Sequence, residues 1–194
     1  MDLGQLGAIA LFAFVTTFSP GPNNIMLMTS GANVGFVRTI PHMLGVVFGF
    51  AFMVILVGMG LTTVFHTYPV IHQVLKVVSL AYLFYLAYKI ATSKPSQNKC
   101  DYKPLSFLGA ASFQWVNPKG WAMALTAVSV YNYSASIFGL VIIACVFCVV
   151  NLPNVGFWTV AGKNLQRWLN SPTKVRNFNW VMAGLLVAST LPMM

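Results

Sequence analysis

The sequence predicts an all-α membrane protein: six transmembrane helices forming two inverted three-helix repeats, with the first and fourth helices broken. Three observations carry that expectation. Of the 194 residues, 58% are hydrophobic and only 7% are charged, against about 25% charged in a typical soluble domain. The apolar residues gather in six runs, about Leu3–Met28, Met43–Thr63, His72–Thr92, Leu105–Tyr131, Ser134–Val160 and Phe178–Pro192, each near the roughly 20 residues a helix needs to cross a bilayer. Proline and glycine interrupt the first and fourth runs, and Pro20 and Pro118 lie about half a chain apart.

The spans leave no room for a soluble domain, so residues 1–194 read as a single transmembrane unit. Repeat one covers about 1–92, a polar linker about 93–104 and repeat two about 105–194. Three spans per half oblige the second half to enter the membrane in the opposite sense, the topology of an inverted repeat. The formal net charge of +9 does not imply nucleic acid, because the basic residues fall between the spans. Arg38, then Lys89, Lys94, Lys99 and Lys103, then Lys163, Arg167, Lys174 and Arg176 mark three loops, while Lys76 alone lies on the other side. Positive-inside bias places those loops in the cytoplasm and both termini outside. The N-terminus carries Asp2 and no basic region, so no cleaved signal peptide is expected.

In the first span, Leu3 to Phe18 is apolar and Ile25 to Met28 resumes the run, with Ser19-Pro20-Gly21-Pro22-Asn23-Asn24 between them. Proline removes a backbone donor and clashes with the preceding turn, and glycine weakens helix further, so the span is expected to unwind or kink there. Backbone groups freed at membrane depth need protein or a polar cavity around them. Pro20, Gly21, Pro22, Asn23 and Asn24 are therefore candidate binding residues.

Thr29 to Pro41 is expected to be the first cytoplasmic connection, where Gly31 and Gly35 either permit close helix contact or relax a loop. Gly45 and Gly49 repeat the spacing inside span two, where close packing on a neighbouring span is the expected use. His66, Tyr68 and His72 have no carboxylate or cysteine beside them and read as surface residues, not metal ligands. Tyr82, Tyr85 and Tyr88 in span three read as a helix interface and part of an aromatic belt.

The second break, Gln114-Trp115-Val116-Asn117-Pro118-Lys119-Gly120-Trp121, falls in mid-span. A lysine near the bilayer centre costs about 2.5–3.5 kcal/mol unless it faces water or a partner. Lys119, with Asn117 and Pro118 beside it, is therefore read as functional, whereas Lys76 lies close enough to the outer surface to reach water. In span five, Asn151, Pro153 and Asn154 either line the same cavity or bond neighbouring helices around a proline kink. Cys145 and Cys148 read as packing. Lys163, Arg167 and Trp168 read as an inner interface anchor, and Tyr131 and Tyr133 as an outer one.

The two acids, Asp2 and Asp101, both lie outside the spans. There is no buried carboxylate pair for acid/base work, no His/carboxylate cluster for a metal and no phosphate-binding loop. The chain is not expected to be an enzyme, and no cofactor is expected. If transport is proton-coupled, the titrating group is Lys119, His42 or the substrate itself. A zwitterion suits such a site: a helix starting after Pro-Gly-Pro offers unpaired N–H groups and a positive dipole end to a carboxylate, and Lys119 adds a full charge. Freed carbonyls with Asn23, Asn24 and Asn117 offer acceptors to an ammonium. The expected partners are a small amino acid and the lipid bilayer; protons and a second copy of the chain are further partners the sequence accommodates.

These motifs resemble those of the LysE/RhtB family of bacterial amino-acid exporters. Its Thr/Ser-Pro-Gly-Pro-Asn motif appears here as Ser19-Pro20-Gly21-Pro22-Asn23 and its Asn-Pro-Lys motif as Asn117-Pro118-Lys119. The resemblance implies amino-acid efflux across the bacterial inner membrane. Asn24 with Trp158, Gly162, Gln166 and Arg167 looks like the cysteine/O-acetylserine exporter branch. The absence of an intramembrane acid argues for a small neutral substrate. Alternating access around the broken helices is the expected mechanism; a non-selective small-solute channel is the alternative, and a membrane enzyme or assembly factor is weaker for want of acids.

Overall fold

The computed structural model describes residues 2–61, 69–93, 102–132 and 136–189. His66, Tyr68, Lys94, Lys99, Cys100, Asp101 and Tyr133 lie outside these, as do the side chains of His72, Lys76 and Gln166. Most of the expected polar linker is outside them too. The described residues are helical, with no strand among them: α1 (Leu3–Phe18), α2 (Pro22–Leu56), α3 (Pro69–Thr92), α4 (Phe107–Phe113), α5 (Pro118–Tyr131), α6 (Ile137–Gln166) and α7 (Pro172–Ala188). A π turn, Val57–Leu61, follows α2, and a 3-10 turn, Gln114–Val116, follows α4.

Asp2 starts α1 through a capping box: its carboxylate accepts from the Gln5 N–H at 2.7 Å, and the Gln5 side chain accepts from the Asp2 N–H at 3.2 Å. Two orphan donors are thereby satisfied at once. At the other end, Ser19 is extended and the helix stops.

α2 is a hairpin of two helical arms. Nine residues along a straight helix rise about 13.5 Å, yet the hydroxyls of Ser30 and Thr39 lie 2.7 Å apart. Leu27 likewise shares a core cluster with Met43, Val46 and Val47. The chain reverses at Gly35, whose φ of 80° and ψ of −179° belong to a region that glycine enters without a Cβ penalty. This corrects the expected connection at Thr29–Pro41: one residue makes the turn, and helix occupies both sides of it.

Glycines set how closely the arms approach their neighbours. A Cβ on Gly31 would lie 2.1 Å from the Thr159 carbonyl oxygen, and one on Gly162 only 1.9 Å from that of Met28, so the first arm and α6 cross at backbone contact. Gly31 therefore serves close packing and Gly35 the turn. On the second arm, Gly45 and Gly49 face the backbones of Phe107 and Ala111 in the same way.

Two span boundaries move. α6 runs six residues past the expected Val160 end, and α7 begins at Pro172 under a Ser171 cap instead of at Phe178. Hydropathy marks where a helix is apolar, while caps and proline mark where the backbone starts and stops, so charged turns such as the one with Lys174 and Arg176 extend beyond the apolar run. These ends converge. Asn33 donates to Asn179 at 2.9 Å and Asn179 to the Ser93 hydroxyl at 2.9 Å, gathering the Gly35 turn, the end of α3 and the start of α7. The exposed Arg38, Lys89, Lys163, Arg167, Lys174 and Arg176 all belong to that end of the bundle.

The stretches Pro22–Leu61 and Ile137–Leu165 are long and apolar enough to cross a membrane, with mean hydropathy 2.5 and 2.3. Leu11, Phe14, Val77, Phe84, Phe138, Val149 and Val181 point outward from four helices, the arrangement of a protein surrounded by an apolar medium. Inside, one core cluster joins α1, the second arm, α5 and α6, and another joins the first arm, α3, Phe113 and α7. Tyr82 packs on Phe113 at 6.0 Å, while Tyr85 and Tyr88 are exposed. Cys148 packs against the core and Cys145 is exposed, both as free thiols.

Candidate functional site

Each break is followed by a helix with proline at its first turn and no side-chain cap. Gly21 precedes Pro22 at the start of α2, and Asn117 precedes Pro118 at the start of α5. The leading N–H groups of both helices thus lack a side-chain acceptor, and both positive dipole ends are available to a ligand.

The breaks meet. Lys119 donates to the Ser19 carbonyl at 2.5 Å, across 100 positions of sequence. Asn23 donates to the Gln114 side chain at 2.9 Å. The exchange is reciprocal: the second residue of each post-break helix reaches a residue just ahead of the other break. Gly21 is required by this contact, because a Cβ there would stand 2.8 Å from Lys119 Cδ and 3.2 Å from its Nζ.

Asn24 holds the first break open. Its amide donates to the carbonyls of Thr17 at 2.7 Å and Ser19 at 2.9 Å, both released from helix pairing by the break. Its own oxygen faces the Asn154 amide at 3.4 Å, and Asn154 donates to Asn151 at 2.9 Å. At the second break, Gln114 donates to the Ala110 carbonyl at 2.8 Å and the Trp121 ring N–H to the Trp115 carbonyl at 2.9 Å. The acceptors left over are the buried side-chain oxygens of Asn117 and Asn154, neither of which has a partner.

A small cavity, open on one side, lies between these groups. Gly21, Asn23, Asn24, Asn117, Lys119, Asn151 and Asn154 line it together, as do Thr17, Val46, Phe50, Gln114 and Met123. Pro20, Pro22 and Pro118 are not among its lining residues; they shape the breaks. Gln114 was legible as an amide in an apolar run, three residues before Asn117. Val46, Phe50 and Met123 carried no sequence signal that separates them from other core residues. His42 is fully buried with neither ring nitrogen partnered, and it does not line the cavity.

The electrostatics are one-sided. Asp2 is the only acid among the described residues, and it caps the far end of α1, about 24 Å of helix away from Ser19. Lys119 is partly buried against a neutral carbonyl. A cation beside two uncapped helix starts makes a site that lacks negative charge and is suited to receive an anion. Among the described residues, no three His, Cys, Asp or Glu side chains come together to hold a metal.

Two helix breaks facing one cavity, lined by a lysine and several amides, make a candidate site for a small polar solute. The chain belongs to the LysE type translocator family, whose sequence profile matches residues 14–191. It is a transporter and not an enzyme. It is similar to the cysteine/O-acetylserine efflux protein of Escherichia coli (strain K12), 28% identical over 185 residues that cover 94% of this chain and 93% of that one. The proteins of the same name from Shigella sonnei (strain Ss046) and Shigella flexneri are equally similar over the same shares. No solved structure matches the chain.

Proposed function

We propose that the protein exports small neutral amino acids or close derivatives across the bacterial inner membrane by alternating access around its two breaks. The observation that carries the reading is the Lys119 contact to the Ser19 carbonyl, which brings both breaks to one cavity. A substrate carboxylate displaces that carbonyl as the partner of Lys119 and takes the free N–H groups at the helix starts. Its ammonium is received by the unpartnered oxygens of Asn117 and Asn154. A cationic side chain finds no acid, which favours a neutral substrate.

The same geometry supports a six-span, two-repeat architecture with repeats of about 1–92 and 105–194. α1 with the first arm of α2, the second arm, and α3 form one set; α4 with α5, α6, and α7 form the other. The reciprocal exchange between Lys119 with Ser19 and Asn23 with Gln114 is what a pseudo-twofold axis in the membrane plane produces. The convergence of exposed basic residues at the Gly35 end supports a cytoplasmic placement of that end and both termini outside. Reporter fusions that find the C-terminus in the cytoplasm would overturn the orientation.

Proton coupling falls to Lys119 in this reading, because Lys119 lines the cavity and His42 does not. A neutral zwitterion moved alone gains nothing from the membrane potential, whereas exchange for a proton does. The test is uptake and counterflow of labelled amino acids in proteoliposomes, with and without a pH gradient, beginning with cysteine and O-acetylserine because of the relatives' names. Saturable, substrate-specific counterflow that a pH gradient drives is the expected result. Conductance without saturation or counterflow identifies a channel instead, and pH dependence retained in folded Lys119→Gln removes Lys119 as the coupling group.

A further inference from the structure

The walls of the cavity differ in chemistry. α6 contributes the amides Asn151 and Asn154, one turn apart; α5 contributes Lys119 and, four residues on, Met123. The second arm of α2 contributes Val46 and Phe50, again four residues apart and hence on one helix face. One wall is therefore apolar, opposite in character to the pole that Lys119 and the asparagine oxygens form.

The two aliphatic and aromatic positions are rigidly backed. The Phe50 ring packs on Phe147 at 5.0 Å between centroids and 60° between planes. Val46 is fixed in a cluster with Leu27, Met43 and Val155. Met123 differs: it is partly buried and unbranched, the kind of side chain that adapts to what it covers. Apolar atoms facing a void forgo dispersion contacts that a filling group restores.

We infer that Val46, Phe50 and Met123 form the side-chain subsite, with Val46 and Phe50 as a fixed floor and Met123 as an adjustable lip. They select amino acids by the size of an uncharged side chain. The inference rests on the amino-acid reading of the cavity and adds to it the residues that choose among amino acids. A charged side chain is refused because this wall offers it neither a counter-ion nor a hydrogen bond. A long or branched one is refused because Phe50 cannot retreat.

Competition in proteoliposomes tests it: unlabelled alanine and leucine are titrated against a labelled amino acid that the wild-type protein carries. In Met123→Ala, leucine gains on alanine by about tenfold, and in Val46→Leu it loses by a similar factor, the range expected for one or two methylene groups in an apolar pocket. Val149→Ala, on the exposed face of α6, leaves the ratio unchanged. If Met123→Ala does not fold, Met123→Val must shift the ratio in the same direction. An unchanged ratio in folded cavity variants, or an equal shift in Val149→Ala, overturns the subsite while leaving amino-acid transport intact. A wild-type protein that carries no amino acid overturns both readings.

Discussion

The two helix breaks face one cavity but contribute opposite things to it. The first gives space and carbonyls: Gly21 has no side chain to obstruct Lys119, and the carbonyls of Thr17 and Ser19 are held by Asn24. The second gives charge and unpartnered acceptor capacity, through Lys119 and the Asn117 oxygen. A repeated proline break is therefore not a repeated function. Each break supplies a helix start with proline in its first turn and no side-chain cap, and the side chains around the two starts divide the work.

The division of labour is broken most severely at the second break. Lys119→Ala removes the one cation among the described residues that line the cavity and is expected to reduce counterflow by about a hundredfold or more, at the lower end of the 2–5 kcal/mol range for losing a charged contact. Lys119→Arg should not restore it, because a forked guanidinium does not fit where the ammonium lies against Gly21. Near wild-type counterflow in a folded Lys119→Ala protein would remove the charge from the site.

Asn24→Ala attacks the first break in a different currency. It strands the Thr17 carbonyl and leaves the Ser19 carbonyl to Lys119 alone, and should cost about 1–3 kcal/mol of stability, read as a lower Tm in detergent. Gly21→Ala sharpens the contrast further. The atoms nearest its Cβ all belong to the flexible Lys119 side chain, so the fold should persist while counterflow falls by about tenfold, the consequence of displacing one group by a fraction of an ångström at a binding centre. Loss of stability without loss of transport would assign Gly21 to packing alone.

The smallest effect is expected where the breaks exchange neutral partners. Asn23→Ala and Gln114→Ala each remove the 2.9 Å contact between the two amides, the second also the Gln114 bond to the Ala110 carbonyl, and a double-mutant cycle, which isolates the shared contact, should give a coupling near the average of about 0.6 kcal/mol for hydrogen bonds between membrane helices. A coupling of zero would mean that the two halves do not communicate through this pair.

The Gly-Pro and Asn-Pro breaks, Lys119 and the amides of span five were legible because each violates the composition of an apolar helix. Seven of the ten proposed substrate-binding residues line the cavity, and the three that do not are the prolines. Proline is conspicuous in sequence for its backbone effect, and that effect is what it supplies. His42 was legible as a titratable group in an apolar run; it is fully buried on the second arm, one turn before Val46, and is not among the residues that line the cavity. Val46, Phe50 and Met123 were invisible, since an apolar residue facing a void and one facing a filled core look identical in one dimension.

What the sequence determined by itself was the surrounding medium, the places where helix must fail and the sign of charge at the site. Those follow from residue chemistry: apolar runs leave water, proline lacks an N–H, and an isolated lysine brings its own positive charge. What only the tertiary structure decided was that Gly35 folds α2 back on itself, that Gly31 and Gly162 set a backbone-close crossing, and that Lys119 reaches Ser19. Those depend on which surfaces meet. Contacts between residues a hundred positions apart leave no periodicity or composition to read, because helices pack by shape and the shape is made only once they are together.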